Sequence, residues 1–250
     1  MTFLTRKRTK TSAINHIEFN KPGSQILSVC RDGSVTIWDV TGGSMIKKLK
    51  PEKDRFSFAS FDPSDNNIIT GSEESGLSVW NIQTGIKEMD IKPLPADVYS
   101  DKGFEYPVAG TVYYSADNQF IIAGAGDNTA ILFDAKSGKE IRKYKKTNSF
   151  CTSCIAEAVI TTDNRYILSA RSDSVKMFDR VSGRLVREFF GQGGSPEGLS
   201  VSQDNKFISA IEYGVAEVWD INTGKLILKA GDYSENKVLA AAISPDGKQI

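Results

Sequence analysis

The sequence holds one histidine, His16, and three cysteines among 250 residues. A single imidazole removes the two-histidine metalloprotease motif and leaves little room for histidine-dependent catalysis. Three cysteines cannot build a disulfide framework, which points to a reducing compartment: the cytoplasm, with the nucleus also open. Lys plus Arg equals Asp plus Glu, 31 of each, so no net field draws phosphate and no nucleic-acid partner is expected. No apolar run approaches the length of a membrane span. The opening MTFLTRKRTK is charged from Arg6 onward and has no apolar h-region, so it does not read as a secretory signal. Sustained helical periodicity is missing as well. Hydrophobic residues at 40% and charged residues at 25% suit a soluble globular chain, and the length suits one large domain or two small ones.

What the chain does have is a repeat. An aromatic followed by Asp or Asn recurs as Trp38-Asp39, Trp80-Asn81, Phe133-Asp134, Phe178-Asp179 and Trp219-Asp220, at intervals of 42, 53, 45 and 41. Four residues after each Asp or Asn stands a glycine: Gly43, Gly85, Gly138, Gly183 and Gly224. Upstream of each aromatic lies a turn segment: FNKPG from Phe19, FDPSDN from Phe61, YSADN from Tyr114, ITTDN from Ile160 and VSQDN from Val201. A further copy, ISPDG, starts at Ile243. The turn-to-aromatic distance stays at 14 or 15, so length variation is confined to one loop per unit.

Each unit reads as four strands. Asp-Asn and Asp-Gly supply the positive φ angles of the first hairpin. A short polar turn such as Arg31-Asp32-Gly33 or Gly126-Asp127-Asn128 precedes the third strand, which carries the aromatic. One residue before the aromatic stand Ile37, Val79, Leu132, Met177 and Val218; three before it stand Val35, Leu77, Ala130, Val175 and Ala216. All ten are apolar, so one strand face is buried in every unit while the aromatic lies on the other. Burial on both faces requires a neighbouring sheet on each side. The fourth strand (MIKKLK, EIRKYKK, RLVREFF, KLILKA) is richer in charge and reads as a water-facing edge.

The period near 42, the Trp-Asp pairs and the SPDG turn resemble the WD-repeat β-propeller family. The resemblance covers about residues 12 to 250. It implies an all-β propeller of four-stranded antiparallel blades, five complete and a partial sixth, with units at approximately 12–50, 56–92, 108–146, 155–190, 197–230 and an incomplete 238–250. A sixth aromatic would be expected at position 261 or 262, so the ring reads as truncated and the chain as a fragment of a longer one. The leading TFLTRK would be a fourth strand completing the last blade. The family's Gly-His pair before the first strand is missing from every unit, and His16 falls in a strand, so the polar network behind each Trp is expected to be partial. Asp32, Asp127 and Asp173 fill the family's turn position before the third strand.

Cys151-Thr152-Ser153-Cys154 has the spacing of a redox pair or half a zinc site. Cys30 and His16 lie in the first unit, too far along the repeat to complete it, so the cysteines read as structural and no metal or cofactor is expected. Arg6, Lys7, Arg8 and Lys10 read as a solvated strand end, and GQGG at 191–194 as a connecting loop. The long interval between the second and third aromatics holds an insertion, Pro93 to Pro107, with Tyr99, Phe104 and Tyr106. A loop unique among uniform repeats is either a recognition element or a lid packed on its own blade. The family geometry places it on the same face as the turns before the third strand, which present Arg31, Glu73, Glu74, Arg171, Ser172 and Tyr213.

The resemblance implies that this face binds a protein or peptide partner. The expected function is therefore a non-catalytic interaction scaffold. Two alternatives stand beside it. One is a propeller enzyme of lactonase or quinoprotein type: FDAKSGKEIRKY looks like a quinoprotein repeat, but Arg142 and Leu228 stand where that repeat has Trp. The other is a sensor module fused to an effector domain outside this chain.

Overall fold

Local turn chemistry sets the strand order. In each first hairpin one residue sits in the left-handed region: Gly23 (φ 72°), Asp65 (58°), Asn118 (61°), Asn164 (58°) and Asn205 (56°). Its N–H donates three residues back, to the carbonyl of Asn20, Asp62, Ser115, Thr161 or Ser202. The Asp-Asn marker is thus a backbone requirement, met by the residue types that tolerate it. The second marker is a side-chain cap. The carboxylate or amide oxygen of Asp39, Asn81, Asp134, Asp179 and Asp220 accepts the backbone N–H of Gly42, Thr84, Ser137, Ser182 and Thr223.

In the computed structural model, which describes residues 13–50, 55–72, 76–91, 109–125, 129–144, 157–171, 174–191, 196–231, 238, 241–244 and 249, these turns join twenty strands. They form five antiparallel four-stranded sheets, each in chain order, arranged as the blades of a propeller. Blade 1 is β1 (Ile14–Phe19), β2 (Gln25–Cys30), β3 (Val35–Asp39) and β4 (Met45–Leu49). Blade 2 is β5 (Phe56–Phe61), β6 (Asn67–Ser72), β7 (Leu77–Asn81) and β8 (Lys87–Ile91). Blade 3 is β9 (Ala109–Tyr114), β10 (Phe120–Ala125), β11 (Ala130–Asp134) and β12 (Glu140–Tyr144). Blade 4 is β13 (Glu157–Ile160), β14 (Tyr166–Arg171), β15 (Ser174–Asp179) and β16 (Leu185–Phe190). Blade 5 is β17 (Glu197–Val201), β18 (Phe207–Glu212), β19 (Val215–Asp220) and β20 (Leu226–Ala230).

The core lies between blades. Leu27, Val29, Val35, Ile37 and Leu49 of blade 1 pack on Phe56, Ala59, Phe61, Ile68 and Ile82 of blade 2, with half-buried Trp80 against them. The pattern repeats: Phe133 packs on blade 2, Phe178 on blade 3 and Trp219 on blade 4. In blades 2 to 5 the aromatic therefore faces the preceding blade, and in blades 1 to 4 the apolar residue beside it faces the following one. A fully buried Leu, Ile or Phe in these layers contributes about 1.5–3 kcal/mol. The polar network behind the aromatics is partial, as the missing Gly-His pairs predict. Trp38 and Trp80 donate Nε1–H to Ser28 Oγ and Thr70 Oγ1, each at 2.9 Å, whereas Trp219 donates to the Phe190 carbonyl of blade 4 at 3.2 Å.

Two expectations need correction. The aromatic does not sit in an inter-blade layer in every unit: in blade 1 no described blade covers that face. Ile17 and Phe19 are more than half exposed there and Trp38 is only half-buried, while the equivalent Ala59 and Phe61 of blade 2 are buried. The fourth strands are also less polar at the surface than their charge suggests. The ladder between third and fourth strands shifts beside every aromatic, leaving Ile46, Glu88, Ile141, Val186 and Ile227 unpaired in their registers. A bulge re-aims a strand, and the four aliphatic members of this set are exposed.

Past blade 5, Val238 donates its N–H to the Gly214 carbonyl at 2.7 Å, as Phe56 donates to Gly33 at the start of blade 2. Ser244 donates to the Gln249 carbonyl at 2.9 Å, the bond that Asn20 and Gln25 make in blade 1.

Candidate interaction face

Strand direction alternates, so the second-to-third-strand turns and the connections between blades emerge at one end of the molecule. On this face the first turn is Arg31-Asp32-Gly33. Asp32 Oδ1 accepts the Ser34 hydroxyl at 2.7 Å and its N–H at 3.1 Å. These bonds, aided by Lys48 and Lys50, hold its carboxyl below the ordinary range against the opposing effect of burial. Arg31 donates its N–H to the Ala13 carbonyl at 2.7 Å, which ties the turn to the chain entering β1 and leaves the Arg31 side chain exposed. Gly33 is at φ 78°, and a Cβ there would lie 2.8 Å from the Arg55 backbone, so glycine is required where blade 2 begins.

The corresponding turn of blade 5 is tighter. Glu212 pairs with Val215, leaving a two-residue turn of Tyr213 at φ 51° and Gly214 at φ 82°. Such a turn selects Asn, Asp or Gly at its first position. Here it carries a tyrosine with 62% of its surface exposed. The bond from Val238 to Gly214 braces the turn from beneath. Of the other residues that the sequence assigns to this face, Glu73, Glu74, Tyr99, Phe104, Tyr106 and Ser172 lie outside the described residues, as does the Arg171 side chain. Also outside them are Arg6, Lys7, Arg8, Lys10, Cys151, Cys154, Asp127, Asp173 and the glycine-rich 192–194. Cys30 is a free, half-buried thiol at the end of β2.

The innermost strands hold a second polar set that sequence reasoning passed over. Counting back from each first turn, position four is His16, Phe58, Thr111 and Glu157; position two is Glu18, Ser60 and Tyr113. Each touches a neighbouring blade. His16 stacks on Phe58 with centroids 3.9 Å apart, and Phe58 meets Tyr113 edge-on at 5.1 Å. The Ser60 hydroxyl donates to Glu18 at 3.1 Å, and the Ala158 N–H donates to Thr111 Oγ1 at 2.9 Å. The Leu199 N–H donates to Glu157 Oε2 at 2.7 Å. Burial pushes the Glu157 carboxyl above its ordinary value, opposed by the Leu199 and Gly198 N–H groups and by His16, and reinforced by Glu197. Tyr113 is likewise raised, by burial first and then by the charges of Glu18 and Glu157. The signal for this set is the alternation of the first strand, where polar residues share a face with Phe58. These carboxylates already accept hydrogen bonds from the next blade, so their evident work is to join blades.

Outer strands join blades too. Arg142 of blade 3 donates to the Ser182 carbonyl of blade 4 at 3.4 Å. Arg187 of blade 4 donates to Asn222 and Thr223 carbonyls of blade 5 at 2.7 and 3.1 Å. Among the described residues no group of three or more His, Cys, Asp or Glu is placed to hold a metal, and no helix is long and apolar enough to cross a membrane.

With this geometry in place, comparison with known proteins gives a consistent answer. A family model described as "WD domain, G-beta repeat" matches residues 2–39. The chain is similar to a guanine nucleotide-binding protein subunit beta of Nicotiana tabacum, 23% identical over 219 residues, covering 86% of this chain and 58% of the relative. It is similar to the subunit beta of Arabidopsis thaliana at 21% over 248 residues, covering 96% of this chain and 65% of the relative. The Oryza sativa subsp. japonica subunit beta is 20% identical over 236 residues, covering 90% and 61%. The chain therefore spans about three fifths of the length of these relatives.

Proposed function

We propose that this chain, a WD-repeat β-propeller, is a non-catalytic scaffold that holds protein or peptide partners on the face carrying Arg31 and Tyr213. The observation that carries the reading is Tyr213. A bulky side chain in the left-handed region costs about 1 kcal/mol, and such strain clusters where function requires it. Here it presents an exposed aromatic ring, the residue type that anchors protein interfaces. Arg31 occupies the matching turn of blade 1 and supplies the other favoured anchor. The names of the relatives support a protein partner. The Arg142 side chain, where a quinoprotein repeat would carry Trp, holds the turn of the next blade.

We place the scaffold in a reducing compartment, the cytoplasm or nucleus. We also infer that residues 238–249 begin a sixth unit, a reading supported by the two blade-like hydrogen bonds at Val238 and Ser244. The test of the scaffold is Tyr213→Asn, which keeps the turn and removes the ring. The variant should melt higher than the parent and recover less partner in affinity capture from the source cell, quantified by mass spectrometry. Unchanged recovery would remove Tyr213 from the interface.

A further inference from the structure

We propose that the blade 1 corner of the Arg31–Tyr213 face, built from Arg31, Lys48 and Lys50, holds an acidic segment of a partner protein, a run of Asp and Glu side chains. The proposal rests on the reading of that face as protein-binding and names the chemistry of what it holds.

The three cations surround one turn. Arg31 opens it, and its N–H is bonded to the Ala13 carbonyl at 2.7 Å. After the Ser34 bonds, Lys48 on β4 and Lys50 just beyond it help to hold the Asp32 carboxyl low, which places both beside the turn. All three side chains are exposed, and among the described residues none of them has a hydrogen bond or ion pair. The one acid of the turn, Asp32, already accepts the Ser34 hydroxyl and N–H. Three cations around one engaged carboxylate leave positive charge for an outside anion.

The fold does not demand this charge. The register position of Lys48 carries Asp90 in blade 2 and Glu188 in blade 4. Blades 3 and 5 have Lys143 and Lys229 there, but each is paired, with Glu140 at 3.5 Å and Glu217 at 3.2 Å. The concentration also shows along the chain. Residues 1–17 hold four basic residues (Arg6, Lys7, Arg8 and Lys10) and no acid, and residues 44–55 hold five basic and two acidic. Outside these stretches the chain has 22 basic residues against 29 acidic, so a net charge of zero conceals a positive corner on an acidic body. Both stretches meet at the Arg31 turn. The second arrives through the Phe56 N–H, which donates to the Gly33 carbonyl at 3.3 Å. The first arrives through Ala13, and Lys10, three residues away, is within about 11 Å of it by chain length alone.

The surroundings select the occupant. A bilayer or a nucleic-acid duplex lying flat on this end would also meet Glu197, exposed at the start of β17, and the acids that the sequence assigns to the same end, Glu73 and Glu74 among them. A single peptide segment crosses blade 1 without reaching those acids. A carboxylate can accept two parallel bonds from the Arg31 guanidinium, with the lysines beside it as point charges.

The test uses the full chain and a fluorescent peptide of alternating Glu and Gly, followed by anisotropy. A matched Lys-Gly peptide, a random-sequence DNA duplex and vesicles of equimolar phosphatidylcholine and phosphatidylserine are the other arms. Arg31→Glu/Lys48→Glu reverses the patch. Lys136→Glu/Lys139→Glu, on exposed residues at the opposite end of the molecule, changes the net charge equally. Both should melt as the parent does, and Arg31→Gln/Lys48→Gln repeats the measurement without adding acids. Saturable binding of the Glu-Gly peptide, weakened roughly tenfold or more by the patch reversal, less by the Gln pair and not at all by the control pair, supports the proposal. No saturable binding, equal loss in both reversed variants, equal binding of the Lys-Gly peptide, or patch-dependent binding of duplex or vesicles in place of the peptide would each overturn it. Tyr213→Asn keeps the two readings apart. Partner recovery lost in that variant, with the parent indifferent to the acidic peptide, leaves the scaffold standing and removes only its acidic partner.

Discussion

Trp219 and Trp38 occupy the same position of the repeat, and the structure separates them. Trp219 is 1% exposed and packs edge-on against Phe189, centroids 6.5 Å apart, among Leu168, Ala170, Val175 and Met177 of blade 4. Truncation to alanine removes that packing, opens a cavity between two sheets and deletes the bond to the Phe190 carbonyl. The cost is roughly 3–5 kcal/mol, of which the hydrogen bond contributes about 1. Trp38 has no described blade on its outer side and is half-buried. It leaves an open groove in place of a cavity and loses its bond to Ser28 Oγ, so Trp38→Ala costs less, roughly 2–3 kcal/mol. Urea unfolding followed by far-ultraviolet circular dichroism measures both without relying on indole fluorescence. The m-values must agree with the parent's before the midpoints are compared. Equal losses would refute the assignment of each aromatic to the layer shared with the preceding blade.

Glu157 makes a pH prediction. Its carboxyl is raised above 4.5, chiefly by burial. Between its ordinary and raised values the folded protein holds a proton that the unfolded chain has released, so stability falls as pH rises through that window. Glu157→Gln keeps an acceptor for Leu199 N–H. It should flatten the melting temperature against pH above 4.5 and raise it at neutral pH; an unchanged profile would contradict the burial argument. The turn glycines offer a second comparison. Gly23 (φ 72°) has open space where a Cβ would stand, whereas at Gly138 (φ 67°) a Cβ would lie 2.8 Å from Met89 Sδ and 3.0 Å from Ile91 Cγ1. Gly23→Ala should cost about 1 kcal/mol for backbone strain alone, and Gly138→Ala about 1 kcal/mol more for shifting the Met89 and Ile91 side chains. Equal losses in urea titration would mean that these glycines serve the backbone only.

The features legible in the sequence are those whose chemistry closes within a few residues. Asp134 caps Ser137, Asn118 bonds back to Ser115, and alternation around Phe133 assigns Leu132 to the opposite layer; each leaves a short, repeated pattern. The bulge beside the aromatic leaves none, because Ile46, Glu88, Ile141, Val186 and Ile227 share no chemistry, and so the exposed rim of the fourth strands was not foreseen. Tyr213 stands out in sequence as a loop aromatic, but its strain shows only once Glu212 and Val215 are seen to pair. The contacts that join blades are absent from any local window, yet they are not arbitrary. Ser60 reaches Glu18 across 42 positions, Leu199 reaches Glu157 across 42, and Arg142 reaches Ser182 across 40. Arg187 reaches Thr223 across 36 and Thr162 reaches Gln203 across 41. Each separation is close to one repeat, because a blade touches only its neighbours. Laying the sequence against itself, shifted by one unit, is therefore the operation that exposes these pairs: an acid or arginine in one copy stands opposite the backbone or hydroxyl it binds in the next.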